Sequence, residues 1–527
     1  MLNNLRNLYL GSFLYDKKIS KYTDLLFKYK PSTYLLSSLI KIKTKKNNIA
    51  DFSLEEIWTN YKLSEKQFKK LNNFFWIFSL DLKSSSGDVQ KVITKWIDIN
   101  NKYNSKSWEI SVVSKRIISW LSNSKLTYDN STKEYQKKFN TILQKQVLHL
   151  LNQINHTKDY KNKIISISAI ILFSLCYNDQ TKNLNTGLDL LKKFIKETFD
   201  KYGFPKSRSI KHSIFYLKYL ILIREWLKES QNTIPEFIDE YIFYLGQSYS
   251  FFWKNINFDP HFNGNNLSNN FEFDQYLKRC GYTFKNQNYE NSGYVSLNNK
   301  KINLFMDIGP SPEKNFSDEY QAGSLSFEFL SNGKKIFTNA GYYEGTNYQL
   351  NELCRSSALQ NTLVLDDNSS CKFSKNSKGE YKINTNLKII QKNIVFEKNY
   401  WKINASHDGY LKQYNLIYER EIEYFPENFK LIGTDKIKGK KDLPNLKFDI
   451  RFHLDPSSKV MKTQDNKTIL IEIGDEGWKF NCNNYEVNIE NGLFFNSKST
   501  YVENQNIFIS GIINSKISDI KWELIKI

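Results

Sequence analysis

Proline is almost missing from the first two hundred residues: of nine in the chain, only Pro31 precedes Pro205. Long helices in that region would therefore run without their strongest breaker. The five cysteines (Cys176, Cys280, Cys354, Cys371, Cys482) are scattered and form no C-x-x-C pair, so neither a disulfide framework nor a cysteine zinc site follows. The most apolar run, Ile164 to Tyr177, is too short to span a bilayer and contains Ser166, Ser168 and Ser174. The opening MLNNLRNLYLGSFLYDKK lacks the apolar core and small-residue cleavage site of a secretory signal, and the chain reads as soluble.

What is present is an ordinary globular balance, 40% apolar and 25% charged, which excludes wholesale disorder over 527 residues. Against 55 acidic residues stand 75 basic ones, a net charge of +20. That field suits a polyanionic partner: nucleic acid, anionic headgroups or acidic polysaccharide. No nucleic-acid-binding motif accompanies the lysines, so nucleic acid is not expected.

The hydrophobic period changes along the chain. In WEISVVSKRIISWL (108–121) the residues Trp108, Val112, Ile117, Trp120 and Leu121 share one broad helical face. Residues 163–177, 212–228 and 236–253 predict further helices, and short polar links favour antiparallel pairs. From about residue 290 the period is two. Ile302, Leu304, Met306 and Ile308 alternate, as do Leu325, Phe327 and Phe329 ahead of the turn signal Ser331-Asn332-Gly333. Leu446, Phe448, Ile450, Phe452 and Leu454 line one face of LKFDIRFHL, and Ile469, Ile471 and Ile473 add a strand. Short alternating strands with Asn/Gly turns argue for a β-sandwich. A loop-rich stretch, Phe258–Asn270, lies between the two grammars.

The order of blocks in the β half, QAGSLSFEFLSNGKKIFTNAG, LCRSSALQNTLVLDD, SHDGYLKQYNLIYEREIEY and FDIRFHLDP, resembles the C-terminal domain of heparinase II/III-type polysaccharide lyases. WEISVVSKRIISWL, NHTKDYKNKIISISAIILFSL, SRSIKHSIFYLKYLILIREWL and DPHFNGNN resemble segments of that family's α/α toroid. The resemblance spans roughly residues 100–525. It implies an α+β multidomain chain: an N-terminal α/α toroid (an incomplete barrel) over residues 1–285, then an antiparallel β-sandwich over 286–527.

It also implies a reaction, β-elimination on an acidic polysaccharide that contains uronic acid. One group neutralises the uronate carboxylate, a base takes the C5 proton, and an acid protonates the departing glycosidic oxygen. No organic cofactor is needed. By the resemblance, Asn155-His156 stands where the family's carboxylate neutraliser belongs, although Asn and His at a helix start also serve as plain caps. Lys211 and His212 occupy the place of the family's catalytic Tyr, with Tyr216 one turn later. Tyr216 reads more readily as a buried aromatic than as a displaced base, and Lys211 would need a strongly lowered pKa to act as base.

In the sandwich the chain departs from the family. Its catalytic His is replaced by Glu319, and the two His and one Asp that hold a structural zinc are replaced by Gln321, Gln360 and Asn339. Amides are feeble zinc ligands, so no metal is expected. His407 in HDGY and Arg420 match family positions; a tight turn built on Gly409 accounts for His407 equally well. His261 and Asn263 in DPHFNGNN, and Arg355, are further candidates for holding substrate. Arg355, Arg451 and His453 alternate with apolar neighbours, which suits side chains pointing toward the seam between the two halves and a solvated strand face equally well. Two functions follow: a lyase-like enzyme, or a catalytically silent protein that binds or scaffolds acidic polysaccharide. The resemblance points to the cell envelope or periplasm; the missing export signal leaves a cytoplasmic role open.

Overall fold

The computed structural model describes residues 2–20, 25–37, 58, 63–80, 85–254, 259–266, 270–376, 379–439, 445–482, 484–496, 499–513 and 515–527. Helices occupy the N-terminal part and antiparallel strands the C-terminal part. The chain forms two compact units. The first comprises 1–198, 215–243 and 270–283; the second takes 199–214, 244–269 and 284–527.

In the first unit the helix Tyr160–Cys176 is apolar nearly all round, and every residue from Lys163 to Cys176 is buried. Such a helix must be covered on several sides. It packs against Ile110–Ser122, Lys133–Gln153 and Thr181–Thr198. The approach of Thr181–Thr198 is close: a Cβ on Gly187 would come within 2.8 Å of Ile171 Cγ1. Side-chain oxygens start these helices, with Thr132 accepting from the Tyr135 N–H and Asp159 from those of Lys161 and Asn162. The sequence-derived helices over 108–121, 163–177 and 212–228 are observed as Ile110–Ser122, Tyr160–Cys176 and Ile210–Glu229. That over 236–253 is Glu236–Tyr249, continued by a π-helical turn at Ser250–Lys254. No described helix is long and apolar enough to cross a membrane.

The second unit is built on antiparallel sheets. Five strands run in chain order from Glu290–Asn291 to Lys334–Phe337. Eight more form a sheet whose centre pairs Ile517–Lys526, Lys430–Gly439 and Leu416–Phe425. A third sheet pairs Leu446–His453 with Val502–Ile513 and Leu363–Leu365. Phe448, Ile450, Phe452, Phe327, Phe337, Phe480 and Trp522 meet in one apolar core. The turn signal at Ser331-Asn332-Gly333 is a hairpin in which Asn332 and Gly333 both have positive φ, 47° and 78°. That is the twist-matched turn such a pair favours. Of the loop-rich stretch 258–270, residues 259–266 and 270 are described; the rest lies outside the described residues.

Candidate active site

A cluster of charged side chains forms within the second unit. The segment 205–212 turns sharply at Arg208, whose φ is +56°, and starts the helix Ile210–Glu229. Arg208 is anchored by both carboxylate oxygens of the buried Asp307, at 2.8 and 3.3 Å. Its guanidinium also lies over the Tyr294 ring. With that turn fixed, Lys211 and His212 both reach Glu319.

His212 Nε2 lies 2.9 Å from Glu319 Oε2, and its Nδ1 lies 2.9 Å from Ser207 Oγ. Ser209 Oγ donates to the same carboxylate oxygen at 3.4 Å. Lys211 Nζ is 3.8 Å from Glu319 Oε1 and donates to Glu344 Oε1. The result is one imidazole and one ammonium sharing two carboxylates, with Lys211 the more exposed of the two basic groups. Gly264, at φ +80°, closes over this group; a Cβ there would stand 2.7 Å from Glu319 Cβ. Only a residue without a side chain fits both that angle and that approach.

The amides at the positions implied for zinc do not fit the ion. Gln321 donates to the carbonyls of Gly341 and Cys354 and accepts from the Gly264 N–H. Asn339 accepts from the Asn361 N–H and donates to Ser326. Gln360, next to Asn361, is buried with its Nε2 unpartnered. Gln321 and Asn339 are thus spent on cross-linking neighbouring loops, and Gln360 offers only an amide. Among the described residues no group of three or more His, Cys, Asp or Glu is arranged to hold a metal ion.

The other sequence candidates fall in three places. Asn263, also at positive φ, donates to Tyr294 and Asp307, so it belongs to the network that anchors Arg208. His261 is fully buried, its Nδ1 3.3 Å from the Asn339 carbonyl, and burial beside Lys335 holds it neutral. Arg355 is buried, donates to the Tyr342 hydroxyl, and lies over the Tyr342 and Tyr381 rings. His407 and Arg420 lie elsewhere. His407 Nδ1 accepts from the Gly409 N–H within its own turn, and burial lowers its pKa to about 3. Arg420 is wholly inside the sandwich, paired with Asp435 at 2.6 Å. His453 is likewise buried, not on a solvated strand face, while Arg451 pairs with Glu490.

Asn155 and His156 sit exposed on the short turn Ile154–His156 that follows the helix Lys133–Gln153 in the first unit. Tyr216 is buried there, edge-on to Phe194. Sequence reasoning missed Glu344, Ser207, Arg208 and Asp307. A lone Glu in YYEG and a lone Asp at a strand end carry no pattern; only the fold brings them to residues a hundred positions away.

The fold, helices followed by antiparallel β-sheets, is the one seen in solved polysaccharide lyases with a helical toroid and a β-sandwich. A heparinase III structure superposes with a TM-score of 0.69 at 15% identity, covering 97% of this chain and 88% of the other. A heparan sulfate lyase from Pedobacter heparinus gives 0.67 at 14% identity, covering 89% and 78%. Residues 284–523 match the heparinase II/III-like, C-terminal family. No curated protein matches the sequence.

Proposed function

We propose that the protein is a polysaccharide lyase that cleaves a uronic-acid-containing acidic polysaccharide by β-elimination. The observation that supports this reading is the cluster of Lys211, His212, Glu319 and Glu344, which brings acid and base groups within reach of one another at residues that the resemblance matches to the family's catalytic side chains. By the resemblance alone, Asn155 and His156, both exposed, correspond to the family's carboxylate neutraliser, whose hydrogen-bond donors stabilise the charge that develops as C5 loses its proton. His212 is assigned as the base, oriented by Ser207 and Glu319. Lys211, facing two carboxylates, is assigned as the proton donor to the departing oxygen. The +20 charge supports an anionic polymer as substrate.

A second reading has its own support: His212 is engaged at both nitrogens, Lys211 is tied to Glu344, and the family's His is absent. On that reading the protein binds or scaffolds acidic polysaccharide without cutting it. Absorbance of unsaturated uronate, followed on a panel of acidic glycans, separates the two. Asn155→Ala should lower turnover far more than binding if the enzyme is active, and only loosen binding if it is silent. From the resemblance alone we infer a location in the cell envelope or periplasm, with a cytoplasmic role as the alternative, and fractionation of the source cells distinguishes them.

A further inference from the structure

The first unit contains a cavity of about 310 Å³ whose walls include Arg6, Tyr103, Trp108, Glu109, His149 and Gln153. That is the lower end of the range for ligand pockets. A directed chain of hydrogen bonds runs behind it. The Trp108 carbonyl can only accept, so His149 Nε2, 3.1 Å away, carries the ring proton. Nδ1 is then the acceptor and takes the Tyr15 hydroxyl proton at 2.8 Å. Gln153 Nε2 donates to the Tyr15 oxygen at 3.5 Å, which leaves Gln153 Oε1 to accept from Arg6 Nη2. Every member beyond Arg6 is at least nine-tenths buried.

This arrangement fixes a guanidinium at the cavity through neutral partners. Arg6 forms no ion pair with a described carboxylate, and its charge acts on both Tyr15 and His149. Burial lowers the His149 pKa to about 4, so the imidazole adds no charge near neutrality. Glu109, the one carboxylate among the described lining residues, is taken by Lys69 at 2.9 Å and by Ser111 Oγ at 2.8 Å. A half-buried cation with no counter-ion among the described residues is set up to take an anion. Gln153 ends its helix, and the turn bearing the exposed Asn155 and His156 follows directly.

We propose that this cavity is a subsite for a single uronate residue, its carboxylate on Arg6 and its ring against the half-buried Tyr103. The choice of a uronate rests on the lyase reading; the carboxylate and its site rest on Arg6. Calorimetric titration of the full chain with D-glucuronate, with D-glucose as the uncharged control, tests it. Glucuronate should bind at least tenfold tighter than glucose, and Arg6→Gln should erase about tenfold of that preference. Glu109→Gln, which removes the cavity's own carboxylate, should tighten glucuronate several-fold, and it decides the matter if Arg6→Gln does not fold. Equal binding of the two sugars, or glucuronate affinity unmoved by Glu109→Gln, would overturn the subsite. Glucuronate bound at Arg6 with no unsaturated product from any glycan would keep the subsite and remove the lyase. Unsaturated product without Arg6-dependent glucuronate binding would do the reverse.

Discussion

His212 and Glu319 meet at 2.9 Å through Nε2 and Oε2, and Ser207 holds the opposite ring nitrogen at the same distance. The imidazole is thereby gripped from both ends, so its tautomer is set by what Glu319 can offer. The negative charge of the carboxylate favours a proton on Nε2, the ring nitrogen that faces it; a neutral amide would remove that preference. Glu319→Gln preserves shape and removes this control. If the protein is the proposed lyase, turnover on its glycan should fall ~10²-fold or more while glycan affinity changes little. A parallel loss of affinity and turnover would make Glu319 part of the grip on the polymer instead.

A second prediction concerns metal. The purified protein should hold no stoichiometric zinc by elemental analysis, because three amides stand at the implied ligand positions. Gln321→His, Asn339→Asp and Gln360→His together should create zinc binding, since the amides come from stretches joined by the Gln321–Gly341 and Asn339–Asn361 bonds. The apo triple variant should be less stable than the parent, by about 1 kcal/mol for each hydrogen bond lost. Zinc in the parent protein, or none in the variant, would refute the respective half.

Much of this fold can be read in the alternation of apolar residues. Leu446 to His453 is a strand because its period is two, and Tyr160 to Cys176 is buried because it is apolar all round. The alternation says which residues share a face, not what covers it. Hence Arg451 and His453 left two readings open in sequence, and burial of His453 against the Ala358 carbonyl was visible only in the structure. Lys211, His212 and Glu319 could be picked out because the sequence resemblance matches them to positions of a family motif. Glu344 could not. It reaches Lys211 only because the segment around Tyr342 is tied to Asn266 by two hydrogen bonds, and no local pattern encodes such a tie.

Arg420 yields a stability prediction. It is fully buried with Asp435, whose carboxylate also accepts from Tyr418 and Trp522. Its Nη1 donates to the carbonyls of Leu325 and Asn361, which fastens two loops to the sheet. Arg420→Ala leaves Asp435 buried without its cation and should cost ~3–5 kcal/mol in urea unfolding. Arg420→Lys should rescue little, because an ammonium cannot span the carboxylate and both carbonyls at once. A cost below about 1 kcal/mol would mean that water reaches Asp435 when the guanidinium is gone.

Acid should weaken the protein before its carboxylates titrate. Burial lowers the pKa of His149 and His453 to about 4 and that of His407 to about 3, against 6.5 for the unperturbed side chain. Above pH 6.5 these rings are neutral in both the folded and the unfolded chain, and they add no pH dependence. Between pH 6.5 and 4 the unfolded chain binds protons that the folded one excludes, so stability falls as pH falls. Each such ring contributes a slope of about 1.4 kcal/mol per pH unit across that window. The contribution levels off below the folded pKa, where the native imidazole also takes its proton. Urea unfolding at pH 7 and pH 5 should therefore differ by several kcal/mol. His453→Gln should recover about one ring's share of that difference, although it lowers stability at pH 7 through the lost bond to the Ala358 carbonyl. Equal stability at the two pH values would show that these rings take up protons without unfolding.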